Sequence, residues 1–298
     1  MQSSMKSSLW GSVMPENNLP DISTSPGSLY VVATPIGNLN DLSKRAVDTL
    51  SMVDFIAAED TRITLKLLNH LGIKKPLISC YRHNELDRID RIVERILSGE
   101  NCALCCDAGT PAISDPGEAL AAAAVDNGIR IIPIPGPSAV IAAVSASGLV
   151  SGRFCFEGFI PMNKKTRKNR LSALRQEPRT MVFYEAPHKL RRTLVDLLEY
   201  MGDRDIVIAR ELTKIHEEII HTTLREAVEM YAVQEPRGEF VLILSGAPVE
   251  EEKETTLEKG ITLAKEYAAG GLSNSEAAKR AAKETSLAKS DIYKGMVR

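Results

Sequence analysis

NCALCCDAGTPAISDPG, residues 101–117, joins two kinds of sequence. Residues 101–106 form a short apolar run, the pattern of a strand covered on both faces. Residues 107–117 set glycine and proline among small polar residues. Glycine lets backbone approach a ligand closely, and proline stiffens the loop. A buried strand ending in such a loop is one unit of a parallel α/β sheet, and such sheets bind ligands beyond the carboxyl ends of their strands.

The unit recurs on either side. Residues 29–34 lead into Thr34-Pro35-Ile36-Gly37-Asn38, and residues 128–133 lead into a Pro133–Ala139 loop of the same character. Residues 54–58 and 76–80 complete five strands. Between them lie helical patterns, one carrying Leu86, Ile89, Val93, Ile96 and Leu97 at nearly a 3.6-residue period. Strands alternating with helices predict βαβ units and a mostly parallel sheet. A second block begins near Gly152, with strands expected at 154–158, 180–184, 205–209 and 239–244. Its helix carries Leu190, Leu194, Leu197, Leu198 and Met201 on one face. The reading is therefore α/β, with two α/β lobes at 28–148 and 152–247 and a cofactor cleft between them.

Residues 1–27, rich in Ser, Pro and Asn, read as a disordered leader. After a charged linker at 249–256, residues 257–298 read as a small helical, helix-turn-helix-like domain in which Ser273-Asn274-Ser275-Glu276 opens a helix with a capping box. That domain serves equally as a packing appendage or as a nucleic-acid contact.

Composition narrows the classes. Of 298 residues, 44% are hydrophobic and 26% charged, and the net charge is -2. No global field draws the chain to nucleic acid, so any such contact needs a local basic patch. Lys164, Lys165, Arg167, Lys168 and Arg170 supply one, whose bland alternative is a solvated helix face. The cysteines number five, and Cys102 and Cys105 lack a second pair to complete a zinc site. They read as buried thiols, and the odd count favours a reducing compartment, the cytoplasm. No apolar run reaches a membrane span's ~20 residues. There is no dinucleotide fingerprint, P-loop or nucleophile elbow, and His216 and His221 are five apart rather than the four of a zinc-protease helix. Pattern alone stops at an α/β enzyme with a backbone-lined cofactor cleft and no metal site.

The runs at 29–43, Ala58-Glu-Asp-Thr-Arg62, residues 107–117, residues 133–139 and Tyr184-Glu-Ala-Pro-His188 together resemble the ribosomal RNA small subunit methyltransferase I family, of the tetrapyrrole methylase fold class. The likeness covers about residues 28–246. It implies an S-adenosylmethionine donor, a cytidine 2′-hydroxyl acceptor in the decoding region of small-subunit (16S) ribosomal RNA or the 30S subunit, and a homodimer. Carried over by motif, Asp107, Ala108, Gly109, Thr110, Ile113, Ser114 and Asp115 would hold the cofactor. Pro35, Pro137, Ser138 and Tyr184 would join them, and the basic run would meet RNA.

A ribose hydroxyl is a poor nucleophile, so a base, or a cation that stabilises the alkoxide, is expected. Candidates at strand ends are His83, Asp60, Arg62 and Glu185, with Glu59 and His188 also possible. The bland alternative makes Asp60 and His83 helix caps. Two rival readings remain: a methylase of the same fold acting on a tetrapyrrole or other small molecule, and a non-catalytic RNA-binding assembly factor.

Overall fold

A computed structural model describes residues 26–80, 85–149, 152–248 and 257–297. The first lobe carries β1 (Ser28–Val32), β2 (Phe55–Ala58), β3 (Leu77–Ser79), β4 (Cys102–Cys105) and β5 (Arg130–Ile134), ordered β3-β2-β4-β1-β5 and parallel throughout. β2 and β4 are buried along their whole length, as the unbroken apolar runs require. Helices α1 (Lys44–Met52) and α2 (Thr61–His70) cover one face through Ala46, Leu50 and Leu68. Helices α3 (Glu85–Leu97) and α4 (Glu118–Asp126) cover the other through Ile92, Ile96 and Leu120. Cys102 and Cys105, three residues apart on a period of two, fall on opposite faces of the sheet. Burial pushes the Cys105 thiol up to about 12, so it is packing, not chemistry.

The chain leaves β5 through the third loop into α5 (Ala139–Ser147). This helix does not cover the first sheet. Val140 and Ala143 pack instead against Val182, Val207, Val241 and Ile243 of the second. Its small side chains let backbone lie close to that sheet, and the Ser147 carbonyl accepts a hydrogen bond from His221 Nε2 at 3.0 Å.

The second sheet holds β6 (Phe154–Phe159), β7 (Thr180–Glu185), β8 (Asp205–Arg210), β9 (Glu218–Thr223) and β10 (Phe240–Leu244), ordered β6-β7-β10-β8-β9. Only the β6–β7 pairing is parallel. Helices α6 (Lys164–Leu174), α7 (Pro187–Met201) and α8 (Leu224–Val233) close the far face around Phe183, Leu190, Leu194 and Leu242. β9 was not among the strands expected from sequence, where its His221 and the preceding His216 were weighed against a zinc-protease helix. It pairs antiparallel with β8 from Asp205↔Thr223 to Arg210↔Glu218, and β-branched Ile219, Ile220, Thr222 and Thr223 suit that pairing.

Residues 257–297 form a separate compact unit of α9 (Leu257–Ala269), α10 (Asn274–Thr285) and α11 (Lys289–Val297) around Ala264, Ala278, Ala281 and Ile292. Ser273 caps α10 by accepting from the Glu276 N–H at 3.4 Å. No helix among the described residues is long and apolar enough to cross a membrane.

Ala143 is 1% exposed and sits in the contact between α5 and the second sheet. Ala143→Leu should cost about 1–3 kcal/mol in urea unfolding, the usual range for overpacking. A stability unchanged from wild type would show that α5 does not clamp this sheet.

Candidate active site between the lobes

Three loops beyond the first sheet are stitched to one another. Thr34 and Gly109 exchange backbone hydrogen bonds of 2.8 and 3.0 Å, and Thr34 Oγ1 donates to the Cys106 carbonyl at 3.1 Å. Thr110 Oγ1 donates to the Pro137 carbonyl at 3.1 Å, tying the second loop to the third. Gly109 has φ +87, and a Cβ there would stand 3.4 Å from Ile36 Cγ2. Ala112 and Ser114 also lie in the left-handed region, at φ 63 and 68. Such conformations are uncommon outside glycine and cluster at functional sites.

A cavity of about 510 Å3 opens between these loops and the second sheet. Ala108, Gly109, Thr110, Ile113, Asp115 and Ser138 line it from the first lobe. Tyr184, Glu185, Ala186, Pro187 and His188 face them, from the end of β7 into the start of α7. Phe159 and Leu212, with Val241 and Phe240 of β10, add apolar wall.

Tyr184 is fixed by Phe156 and Phe159, ring centroids 5.0 and 5.6 Å away. Burial, only partly offset by the Val140 backbone N–H, pushes its phenol up to about 12. It is therefore a neutral hydrogen-bonding group, not a base, at physiological pH.

Glu185 is 3% exposed, and both its oxygens are engaged. Oε1 accepts from the Ala186 N–H at 2.8 Å, and Oε2 accepts from Thr193 Oγ1 at 2.5 Å. Thr193 Oγ1 in turn accepts from the Arg167 guanidinium at 2.9 Å, and Arg167 Nε donates to Asp196 at 2.5 Å. A buried polar chain thus runs from α6 through α7 to the cavity wall.

That chain corrects one expectation. Arg167, assigned from sequence to the RNA-binding run, is 3% exposed and committed to Asp196 and Thr193. It shares the inward stripe of α6 with Leu171 and Leu174, four and seven residues on. Lys164, Lys165 and Lys168 stay exposed on the same helix, and Arg170 ion-pairs with Glu157.

Other sequence candidates are divided. Pro35 and Asp107 do not line the interlobe cavity but border a second hollow beside α2. The Pro137 carbonyl braces Thr110, and Ser114 lies close to Gly158, where a Cβ would meet Ser114 Oγ at 3.1 Å. Asp60 caps α2 by accepting the Arg62 N–H at 2.8 Å, and its carboxylate pairs with the Arg62 guanidinium at 2.6 Å. The side-chain bond from Arg62 holds the Asp60 carboxyl down at about 2. Burial acts oppositely on Asp107, raising its pKa, while its Oδ1 accepts the Asp60 N–H at 3.1 Å. His83 lies outside the described residues. Phe159, Leu212, Glu239 and the start of β10 were not anticipated, because side chains at strand ends carry no loop motif to mark them.

A profile of the tetrapyrrole (corrin/porphyrin) methylases matches residues 28–228. Among solved structures, diphthine synthase aligns with a TM-score of 0.58 at 16% identity, over 74% of this chain and 90% of that one. Uroporphyrin-III C-methyl transferase from Thermus thermophilus, complexed with S-adenyl homocysteine, aligns at 0.54 and 16%, over 74% and 97%. The fold is that of the tetrapyrrole methylases. A ribosomal RNA small subunit methyltransferase I from Synechocystis sp. is 46% identical over 90% of this chain and 96% of its own. One from Bacillus subtilis is 43% identical over 90% and 93%. Within that fold, the chain belongs to the ribosomal RNA small subunit methyltransferase I family.

Arg167→Ala takes the guanidinium from Asp196 and from the Thr193 hydroxyl that braces Glu185. It should cost about 3–5 kcal/mol in urea unfolding, as for a broken buried pair. Lys164→Ala should stay within about 0.5 kcal/mol, as an ordinary surface change. Equal effects of the two would place Arg167 back among the surface cations.

Proposed function

We propose that the chain, as a homodimer like the family it resembles, transfers a methyl group from S-adenosylmethionine to a cytidine ribose 2′-hydroxyl in the decoding region of small-subunit ribosomal RNA. The interlobe cavity carries this reading. At about 510 Å3 it falls within the range of about 300–1,000 Å3 usual for small-molecule sites. Bare backbone at 108–110 faces apolar side chains across it, which suits an adenine read by main-chain groups. Asp115 and Glu185 on its wall suit a ligand that carries positive charge. Relatives at 43–48% identity bear a ribosomal RNA methyltransferase name, which favours RNA over a tetrapyrrole as acceptor.

S-adenosylmethionine, when bound, supplies an electrophilic methyl group on a sulfonium. The protein's share is position, charge and one proton. The stitched loops and the clamped Tyr184 ring hold the cavity's shape before substrate arrives, and preorganisation of that kind can supply much of a transfer rate. Glu185, held by Thr193 and the Ala186 N–H, fixes a carboxyl group on the wall. Both its oxygens are already committed to neighbours, so the geometry does not assign it the acceptor's proton. Exposed His188, in the first turn of α7 on the same wall, is assigned that step: its imidazole accepts the hydroxyl proton as the acceptor oxygen meets the methyl carbon. Lys164, Lys165 and Lys168 are exposed, form no ion pair with a carboxylate among the described residues, and are assigned to backbone phosphates of the RNA.

Mass mapping of ribose methylation, on small-subunit RNA incubated with protein and donor, should find one new 2′-O-methylcytidine in the decoding region. His188→Ala should lower kcat at least about 100-fold, the lower end of general-base contributions, and leave donor affinity within a few-fold. Methylation of a base atom or of a porphyrinoid would overturn the acceptor assignment. An unchanged kcat would remove His188 from the chemistry.

A further inference from the structure

Phe159, Tyr184 and Phe240 stand on the wall of the interlobe cavity. Phe240 is buried and Tyr184 half-buried, but Phe159 is 50% exposed. Phe159 reaches that wall through a break in strand register. Phe156 of β6 stands opposite Val182, yet Gly158 stands opposite Phe183, so Glu157 is an extra residue. Side chains alternate between the two faces of a sheet. Unbroken alternation would set Phe159 opposite Glu185 and turn it to the other face. The bulge sets it opposite Tyr184 instead, on the face that Phe156 shares. Bulges are rare in parallel pairs, and beside active sites they commonly re-aim a side chain.

The surroundings hold this one in place. Gly158 has φ +62, a conformation that favours glycine, and the carboxylate of the extra residue pairs with Arg170 of α6. Tyr184 meets the Phe159 ring with centroids 5.6 Å apart and planes tilted by 59°, which steadies the ring without stacking flat on it. Lys189 Nζ lies 5.9 Å from the Phe159 ring centroid, within cation–π reach. Lys189 follows His188 directly and forms no ion pair with a carboxylate among the described residues. Beyond Phe159 the chain continues through exposed Met162 into Lys164, Lys165 and Lys168.

We propose that Phe159 is a stacking platform for the base of the nucleotide being methylated. The inference rests on the RNA-methylating reading above and names how that substrate is held. A base hangs on C1′, next to the C2′ that bears the acceptor hydroxyl. A ribose brought to a donor in the cavity therefore carries its base to the wall of the same cavity. Unstacked bases of single-stranded RNA are commonly held on aromatic side chains. Ile113, 45% exposed on the same lining, adds apolar surface from the first lobe. Lys189 matches a phosphate of the same nucleotide, and the cations of α6 match phosphates further along the strand. Stacking reads no donor or acceptor pattern, so the platform holds a base in place and leaves its identity to other groups.

The test is fluorescence anisotropy on the full chain saturated with S-adenosylhomocysteine. The probes are a labelled single-stranded hexacytidylate and a ribose-phosphate strand of the same length without bases. Phe159→Leu keeps apolar bulk and removes the aromatic face. It should weaken hexacytidylate about tenfold, within the range for one stacked base, and leave the baseless strand unchanged. Phe159→Tyr should bind both strands as the wild type does. Lys189→Ala should weaken both strands alike, because both carry phosphates. On small-subunit ribosomal RNA, Phe159→Leu should raise KM about tenfold with a smaller change in kcat. Its S-adenosylhomocysteine affinity should stay within a few-fold of wild type. Hexacytidylate that does not bind, equal losses on the two strands, or a tyrosine that fails to rescue overturns the platform. Lost S-adenosylhomocysteine affinity in Phe159→Leu also overturns it, by placing the donor's adenine against the ring. If the strands behave as stated but ribosomal RNA is not methylated, the platform stands and the methyl-transfer reading falls.

Discussion

The position of α5 is the constraint on which the site depends. The helix begins at the third loop of the first lobe, yet it packs on the second sheet through Val140 and Ala143. Because the third loop is also bonded to the second, and the second to the first, the clamp fixes all three loops against β7 and β10. The cavity is the space left by that clamp. A larger side chain on α5 would move a wall of the site rather than merely crowd a core, since packed interiors transmit strain.

Electrostatics follow from that frame. The carboxylate of Glu185 is buried and would be costly alone. It is held by a threonine hydroxyl and a backbone N–H, with Arg167 one bond further back and Asp196 balancing the arginine. A carboxyl group is thus held at the cavity wall by protein partners alone. On the other side of the second loop, the Asp60–Arg62 pair and the Asp60 N–H hold Asp107 in place, so the same loop presents backbone to one hollow and a carboxylate to its neighbour.

Much of this was legible in the sequence, for reasons that differ by element. Strands buried on both faces announce themselves as unbroken apolar runs, and β2 and β4 were found that way. Loops 107–117 and 133–139 were legible because glycine and proline there carry a backbone meaning. β9 was not: Glu218-Ile-Ile-His-Thr-Thr223 lacks polar–apolar alternation, and strand and helix periods are hard to separate over six residues. Arg167 was misplaced because a run of cations reads as one patch, whereas a helix divides it. Leu171 and Leu174 point inward, and the residue four before Leu171 must follow them.

The claim beneath the whole account is that loop backbone on one lobe and the 184–188 segment on the other form a single seat for the methyl donor. A crystal structure of the protein grown with S-adenosylhomocysteine tests it directly. The ligand should lie between Gly109 and Tyr184, its adenine against the main chain of 108–110. Density beside α2, or ligand contacts confined to one lobe, would contradict the account.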